Sequence, residues 1–237
     1  MPAWGRYEEL RPRQVDAVMA EAPIAYIPWG SIEWHSYQNP TGTDALKVHG
    51  LAELAAQRTG GIVLPAIYAG YETMKPGAQF KKTLEIPAEV IVGLANAYLD
   101  QLADEGFKLT VILLGHYGAE HVLALTHAAD NWQRVRGHGS DMQVWAFPEW
   151  TMRPVNADPV ADHAAQYETA LMMYLRPELV DLSELPAEGP VVGIFPDGQG
   201  FGIHGDEPRL ATAEIGKRLA EEIVTGIVAG VNERLGR

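Results

Sequence analysis

The chain contains no cysteine, which excludes a disulfide framework, a thiolate metal site and a cysteine nucleophile. Any metal must therefore bind through His, Asp or Glu. Basic residues are scarce: 18 Lys and Arg stand against 31 Asp and Glu, a formal net charge of −13. They are also scattered, so no patch can neutralise a run of phosphates, and no nucleic-acid partner is expected. No stretch of about 18 apolar residues runs uninterrupted, and the opening MPAWGRYEELRPRQ lacks a basic region followed by an apolar one. The expectation is a soluble, cytoplasmic protein with no membrane partner. A G-x-S-x-G elbow is missing, so Ser31 is not a placed nucleophile. The glycines between Gly198 and Gly205 lack the G-x-x-x-x-G-K-(S/T) pattern of a phosphate loop.

What is present suits a large buried core: 237 residues, 47% of them hydrophobic. A chain of ~200–250 residues commonly folds as one α/β unit. Short apolar runs at Ile24–Pro28, Ile62–Pro65, Leu109–Leu114 and Gln143–Phe147 predict buried strands. Helical spacing fills the intervals at Ala45–Arg58, Pro87–Glu105 and Ala119–Arg136. Pro87 is placed to open its helix and Gly106 to end it. The alternation predicts a mainly parallel sheet with helices on both faces. Beyond Trp150 the pattern loosens, then a helix is predicted from His163 to Leu175, stopped by Pro177. The Gly/Pro-rich passage Pro186–Pro208 reads as a binding loop or an oligomer contact. In Thr212–Leu235, Ile215, Leu219, Ile223, Ile227 and Val231 recur every four residues, as on a docking helix. Without repeats or linkers, residues 1–237 read as one domain.

Three clusters carry chemistry. Gly30-Ser31-Ile32-Glu33-Trp34-His35 follows the first predicted strand, and Thr43-Asp44 follows shortly after. On an extended segment Glu33 and His35 project the same way, into the crevice where open α/β sheets bind ligands. Asp44 reads as a ligand or as a helix cap. Gly115-His116-Tyr117-Gly118 stands at the end of another predicted strand. If the two strands are neighbours, Glu33, His35, Asp44 and His116 form a ligand set suited to zinc, manganese or iron(II). In the third cluster, Asp162 to Thr169, Asp162 reads either as a helix cap or as the carboxylate holding His163, a proton shuttle. Glu168 reads as a solvated residue or a further metal carboxylate.

These segments resemble the creatininase family of metal-dependent creatinine amidohydrolases and their relatives. Gly30 to His35 is similar to its G-(A/S)-x-E-x-H segment, Thr43-Asp44 to its following aspartate, and Gly115-His116 to its N-G-H loop. His163 to Leu171 is similar to its H-x-x-x-(F/Y)-E-T-(S/A)-L stretch, and Arg176 to Asp181 to the tail of that motif. The resemblance implies a three-layer α/β/α subunit in a homo-oligomer, often a hexamer, with two divalent metals (Zn, Mn or Fe) per subunit. It implies that Glu33, Asp44 and His116 hold one metal, and that His35 and a bridging Asp44 hold the other. His163 would be the catalytic histidine, accompanied by Asp162, with Tyr117 and Trp150 against the substrate. Trp150 has the alternative of a surface or interface tryptophan.

The pattern also departs from creatininase. That enzyme has a ligand glutamate two residues after the loop histidine, where this chain has Gly118; Glu168 or Glu120 would complete the second site. Leu114 replaces the usual Asn, and Ala165 and Gln166 replace a glycine and an acidic residue. The expected substrate is thus a small cyclic or linear amide other than creatinine, its non-peptide C–N bond cleaved by a metal-activated water. A formamide hydrolase or peptide-trimming relative is one alternative, and a retired scaffold serving binding or assembly is another. Lys75, Lys81 and Lys82 form either a solvated turn or an attractor for a carboxylate-bearing substrate.

Overall fold

Parallel pairing of short apolar segments builds one six-stranded sheet. The structure is a computed structural model that describes residues 3–193 and 198–237. The strands are β1 (Trp4–Arg6), β2 (Ile24–Gly30), β3 (Gly61–Val63), β4 (Ile67–Tyr68), β5 (Leu109–Leu114) and β6 (Gln143–Pro148). They run in the order β1-β3-β2-β5-β6, with β4 continuing the β3 side of β2, and every pair is parallel. β2 and β5 are buried along their whole length, which is why they read as continuous apolar runs. Pro28 sits in this central strand without an N–H to donate. The alternation set by Leu64 N–H on the Tyr26 carbonyl turns Pro28 toward the gap where β3 has ended and β4 has not begun.

Side chains of β2 alternate between two cores. Ile24 and Tyr26 pack with α2 (Thr43–Thr59), α6 (Gln166–Leu175) and α7 (Ala213–Leu235). Ala25, Ile27 and Trp29 pack with α1 (Pro12–Glu21), α4 (Ala88–Asp104) and α5 (Ala119–Asn131). The result is the expected three-layer α/β/α arrangement around a mainly parallel sheet. On α7, Leu219, Ile223, Ile227 and Val231 are fully buried, each side chain contributing roughly 1.5–3 kcal/mol. Ile215, one turn earlier, is only partly covered.

Differences from the predicted elements have local causes. β1 and β4 span three and two residues, too few to show a period. The helix expected to reach Arg136 changes to a wider π turn over Trp132–Arg136, where buried Trp132 donates its indole N–H to Asp100 (2.9 Å). α6 begins at Gln166 rather than His163, because Ala164 has φ of 55° and His163 pairs its backbone with His204. The 186–208 passage thereby runs beside α6; residues 194–197 of it lie outside the described residues. Among the described residues no helix is long and apolar enough to cross a membrane.

Candidate functional site

The site grows from the carboxyl ends of β2 and β5, which lie side by side with Trp29 opposite Leu114. β2 ends in Gly30 and Gly115 follows the last residue of β5, and the first turn of α2 is wedged against both. A Cβ on Gly30 would lie 2.3 Å from the Ala45 nitrogen, and one on Gly115 would lie 2.2 Å from the Asp44 carbonyl oxygen. Only glycine permits that approach, and it brings the Asp44 side chain between the two strand ends.

His116 Nδ1 lies 2.8 Å from Glu33 Oε2 and 3.2 Å from Asp44 Oδ2. Its other nitrogen, Nε2, donates to the Tyr71 carbonyl (2.9 Å). That bond leaves Nδ1 with the lone pair in the neutral ring and orients it as a second-layer partner orients a metal ligand. The Ser31 hydroxyl donates to Asp44 Oδ2 (2.7 Å), and the Met74 N–H, opening the short helix α3 (Met74–Ala78), donates to Glu33 Oε1 (2.5 Å).

Across Asp44, His35 Nε2 lies 3.0 Å from Asp44 Oδ1 and 3.3 Å from Glu168 Oε2. His35 Nδ1 donates to its neighbour Glu33's carbonyl (3.1 Å). His35 Nε2 is buried without a hydrogen-bond partner of good geometry, a costly state that a cation would relieve. Glu168 Oε2 accepts the Ala164 N–H (2.7 Å), and Glu168 Oε1 is ion-paired with Lys47. Lys47 also donates to the Tyr117 hydroxyl (2.9 Å) and stands 3.6 Å from Glu149.

Glu33, Asp44 and His116 thus form one metal-compatible triad, and His35, Asp44 and Glu168 a second. Within each, one donor atom per residue falls within 4.8 Å of the others. His163 joins Glu33 and His35 in a third such grouping. Oxygen and imidazole donors of this kind suit zinc, manganese or iron. The cluster floors a cavity of about 300 Å³ whose walls include Tyr117, Gly118, Asp162 and His204.

Electrostatics couples these groups. Burial opposes charge on His35 and His116, yet the facing carboxylates outweigh it and raise both imidazoles well above their ordinary value. Burial opposes ionisation of Asp44 too, but His35, His116 and Lys47 hold it well below the usual range. Glu168 goes down to about 2 because Lys47 and His35 outweigh its burial. Burial, aided by the charge of His35, lowers His163 and keeps it neutral near pH 7. Burial pushes Glu149 up to about 7, and burial together with Glu168 pushes Asp162 up to about 8.

Six of the residues singled out in the sequence therefore converge: Glu33, His35, Asp44, His116, His163 and Glu168. Tyr117 and Asp162 line the same cavity. The Asp162 carboxylate does not hold His163; it accepts the N–H groups of Tyr167 (2.6 Å) and Glu168 (3.2 Å) and caps α6. His163 Nε2 instead donates to the Trp34 carbonyl (2.9 Å). Trp150 lies outside this cavity, 43% exposed, in an adjoining cleft with Tyr117 and Ala161. Glu168 rather than Glu120 stands beside His35 and Asp44, since Glu120 is on the surface. Gly118 has no room for the missing glutamate: a Cβ there would lie 2.8 Å from the Glu72 carbonyl oxygen. Lys75 bonds the Thr83 carbonyl (3.2 Å) and Lys82 covers the Trp34 ring, as in a turn occupied with its own contacts.

Lys47, Glu149 and the partners Ser31 and Met74 were not legible as site residues. Lys47 carried the one available signal, a lysine three residues after Asp44 and beside Val48 and Leu51 on a helix face that is otherwise apolar.

The creatininase family model, described as creatinine amidohydrolase, matches residues 8–231. The chain is 25% identical to the creatinine amidohydrolase of Pseudomonas putida over 97% of this chain and 94% of that protein. Over 50% of the chain and 38% of the relative it is 27% identical to the 3-dehydro-scyllo-inosose hydrolase of Thermotoga maritima. A crystal structure of creatininase matches with a TM-score of 0.81 at 23% identity, covering 96% of each chain. Other solved creatininases of similar likeness include a variant of the Zn-Zn type, an Mn form and a variant complexed with creatine. With a family match over nearly all of its length, laid on this fold and this buried cluster, the chain belongs to the creatininase family, hydrolases that act on C–N bonds.

Proposed function

We propose that this chain is a metal-dependent amidohydrolase that cleaves a non-peptide C–N bond of a small cyclic or linear amide. The observation that carries the reading is Asp44, one carboxylate facing Glu33 and His116 through one oxygen and His35 and Glu168 through the other. Glu33, Asp44 and His116 would hold a divalent ion (Zn, Mn or Fe), and His35, Asp44 and Glu168 would be the ligands of a second. A bound ion supplies Lewis acidity and a water acidified toward a pKa of ~7.

The chain's own groups do the rest. With Nε2–H tied to the Trp34 carbonyl, neutral His163 keeps the lone pair on Nδ1. It takes a proton from the attacking water and returns it to the leaving nitrogen. Asp162 is a positioning residue: it caps α6 and so holds Glu168 at the cluster. The Tyr117 hydroxyl is engaged with Lys47 and Glu149, so its ring is the surface offered to substrate. Trp150 would meet a substrate that extends from the cavity into the adjoining cleft. A homo-oligomer, hexameric on the family pattern, and a cytoplasmic setting belong to the same reading; light scattering on this 25.9 kDa chain gives the assembly.

The test is metal content per subunit by plasma mass spectrometry on untagged protein, with a hydrolysis screen of lactams, cyclic ureides and formamides. Bound metal and turnover, both falling in Glu33→Ala and His116→Ala, are the expected result. Absence of metal even after reconstitution would overturn the reading in favour of a non-catalytic scaffold.

A further inference from the structure

The charge of Lys47 is spent inside the cluster. Its side chain is fully buried, and its ammonium lies among three carboxylates, the Tyr117 hydroxyl and the face of the Tyr117 ring. It ion-pairs with Glu168 Oε1, stands 3.8 Å from Asp44 Oδ1 and 3.6 Å from Glu149 Oε1, and donates to the Tyr117 hydroxyl at 2.9 Å. A buried ammonium survives only where carboxylates compensate it. Here the compensating carboxylates include two of the three residues in the His35/Asp44/Glu168 triad.

The two triads are consequently unequal. At Glu33, Asp44 and His116 the carboxylate oxygens Glu33 Oε2 and Asp44 Oδ2 face His116, and the donors that support those carboxylates, Ser31 O–H and Met74 N–H, are neutral. At the other triad a fixed positive charge already occupies Glu168 Oε1, and the Ala164 N–H occupies Oε2. No fourth side chain can be added from position 118, where a Cβ would strike the Glu72 carbonyl. Counting charge over the two triads alone, the three carboxylates Glu33, Asp44 and Glu168 are balanced by one divalent ion and the ammonium; Glu149, 3.6 Å from Lys47, faces the ammonium and belongs to neither triad. A second divalent ion would have to share Asp44 and Glu168 with a cation already at close range.

We propose that Lys47 is a built-in cation of the centre: the Glu33/Asp44/His116 triad binds a divalent ion tightly, and the His35/Asp44/Glu168 triad binds one far more weakly. The resting protein then carries one metal per chain. This rests on the metal-dependent reading above and adds to it the asymmetry and the residue that causes it. Lys47 is a positioning and charge-balancing residue, not a group that touches the reacting bond.

Equilibrium dialysis of the full chain against buffered free Zn2+, with zinc and protein measured at each step, tests the idea without reference to turnover. The expected isotherm has one tight equivalent and a second weaker by about a hundredfold, the size of effect that a buried like charge competing for the same carboxylates produces. In Lys47→Met the second equivalent should tighten by a similar factor. Two equivalents of equal affinity in the wild-type chain would overturn the proposal, as would an unchanged second affinity in Lys47→Met. The wild-type isotherm decides the matter even if Lys47→Met fails to fold. Failure to bind any zinc would instead overturn the metal-dependent reading itself, so the two failures are distinct.

Discussion

At the ends of β2 and β5 the functional side chains are fixed by main chain: two glycines seat Asp44, the Tyr71 carbonyl orients His116, and the Met74 N–H holds Glu33. On the α6 side they are fixed by charge and by a turn: Glu168 is placed by Lys47 and by the Ala164 N–H, and the turn depends on a non-glycine residue at positive φ. The same residue types thus serve in two mechanical settings. On the function proposed above, the strand ends would be a rigid cradle for a cation, and the α6 side would supply the proton-transfer group and a carboxylate already paired with Lys47. Rigid scaffolds hold ligands well, and loops bordering them carry chemistry.

The comparison can be broken most forcefully at His163. Under the division just drawn, His163→Ala keeps its metal and loses ~10²–10⁴ in kcat; parallel metal analysis and steady-state kinetics read both quantities. Full activity in this variant would remove the proton-transfer role from the α6 side. A smaller effect is expected at the cradle. Ser31→Ala deletes the hydroxyl that orients Asp44 and should weaken the tighter metal by ~10–100-fold. The zinc isotherm would contradict the rigid-cradle picture if the tight affinity did not move. The smallest effect distinguishes neither side but calibrates both. The facing carboxylates hold His35 and His116 well above their ordinary pKa, and an imidazole must give up its proton to ligate a metal. Affinity should therefore rise with pH, by about tenfold per pH unit for each proton released. Calorimetry in buffers of different ionisation enthalpy counts those protons, and a buffer-independent heat would refute the coupling.

Legibility in the sequence followed the same division. β2 and β5 announce themselves as unbroken apolar runs because both their faces are covered, and the motifs at their ends inherit that clarity. Glu33, His35 and His116 could be assigned to one crevice once the strands were taken as neighbours. Asp44 and Asp162 show the limit: a carboxylate at the start of a helix looks the same whether it caps or ligates. Asp44 faces two histidines, whereas Asp162 turns to the N–H groups of Tyr167 and Glu168. The start of α6 was misplaced by three residues because the backbone angle at Ala164 is set by tertiary contacts. Lys47 escaped notice because a helix pattern assigns lysine to solvent, and only the fold reveals the carboxylates that surround it. Trp150 marks the end of β6 in the sequence, but nothing there tells which cleft its ring would enter.

The split on one side of β2 has a further result. Because β3 stops early, the chain leaves the sheet at Leu64, returns as β4 against Trp29 and Gly30, and only then crosses over the cluster. The crossing segment delivers Tyr71 and Met74 to His116 and Glu33. The segment that follows β2 to Glu33 and the segment that brings Tyr71 and Met74 over it are therefore both anchored at Trp29 and Gly30, and a local opening there would release both together. The stability of one short ladder thus sets how long this side of the site stays assembled.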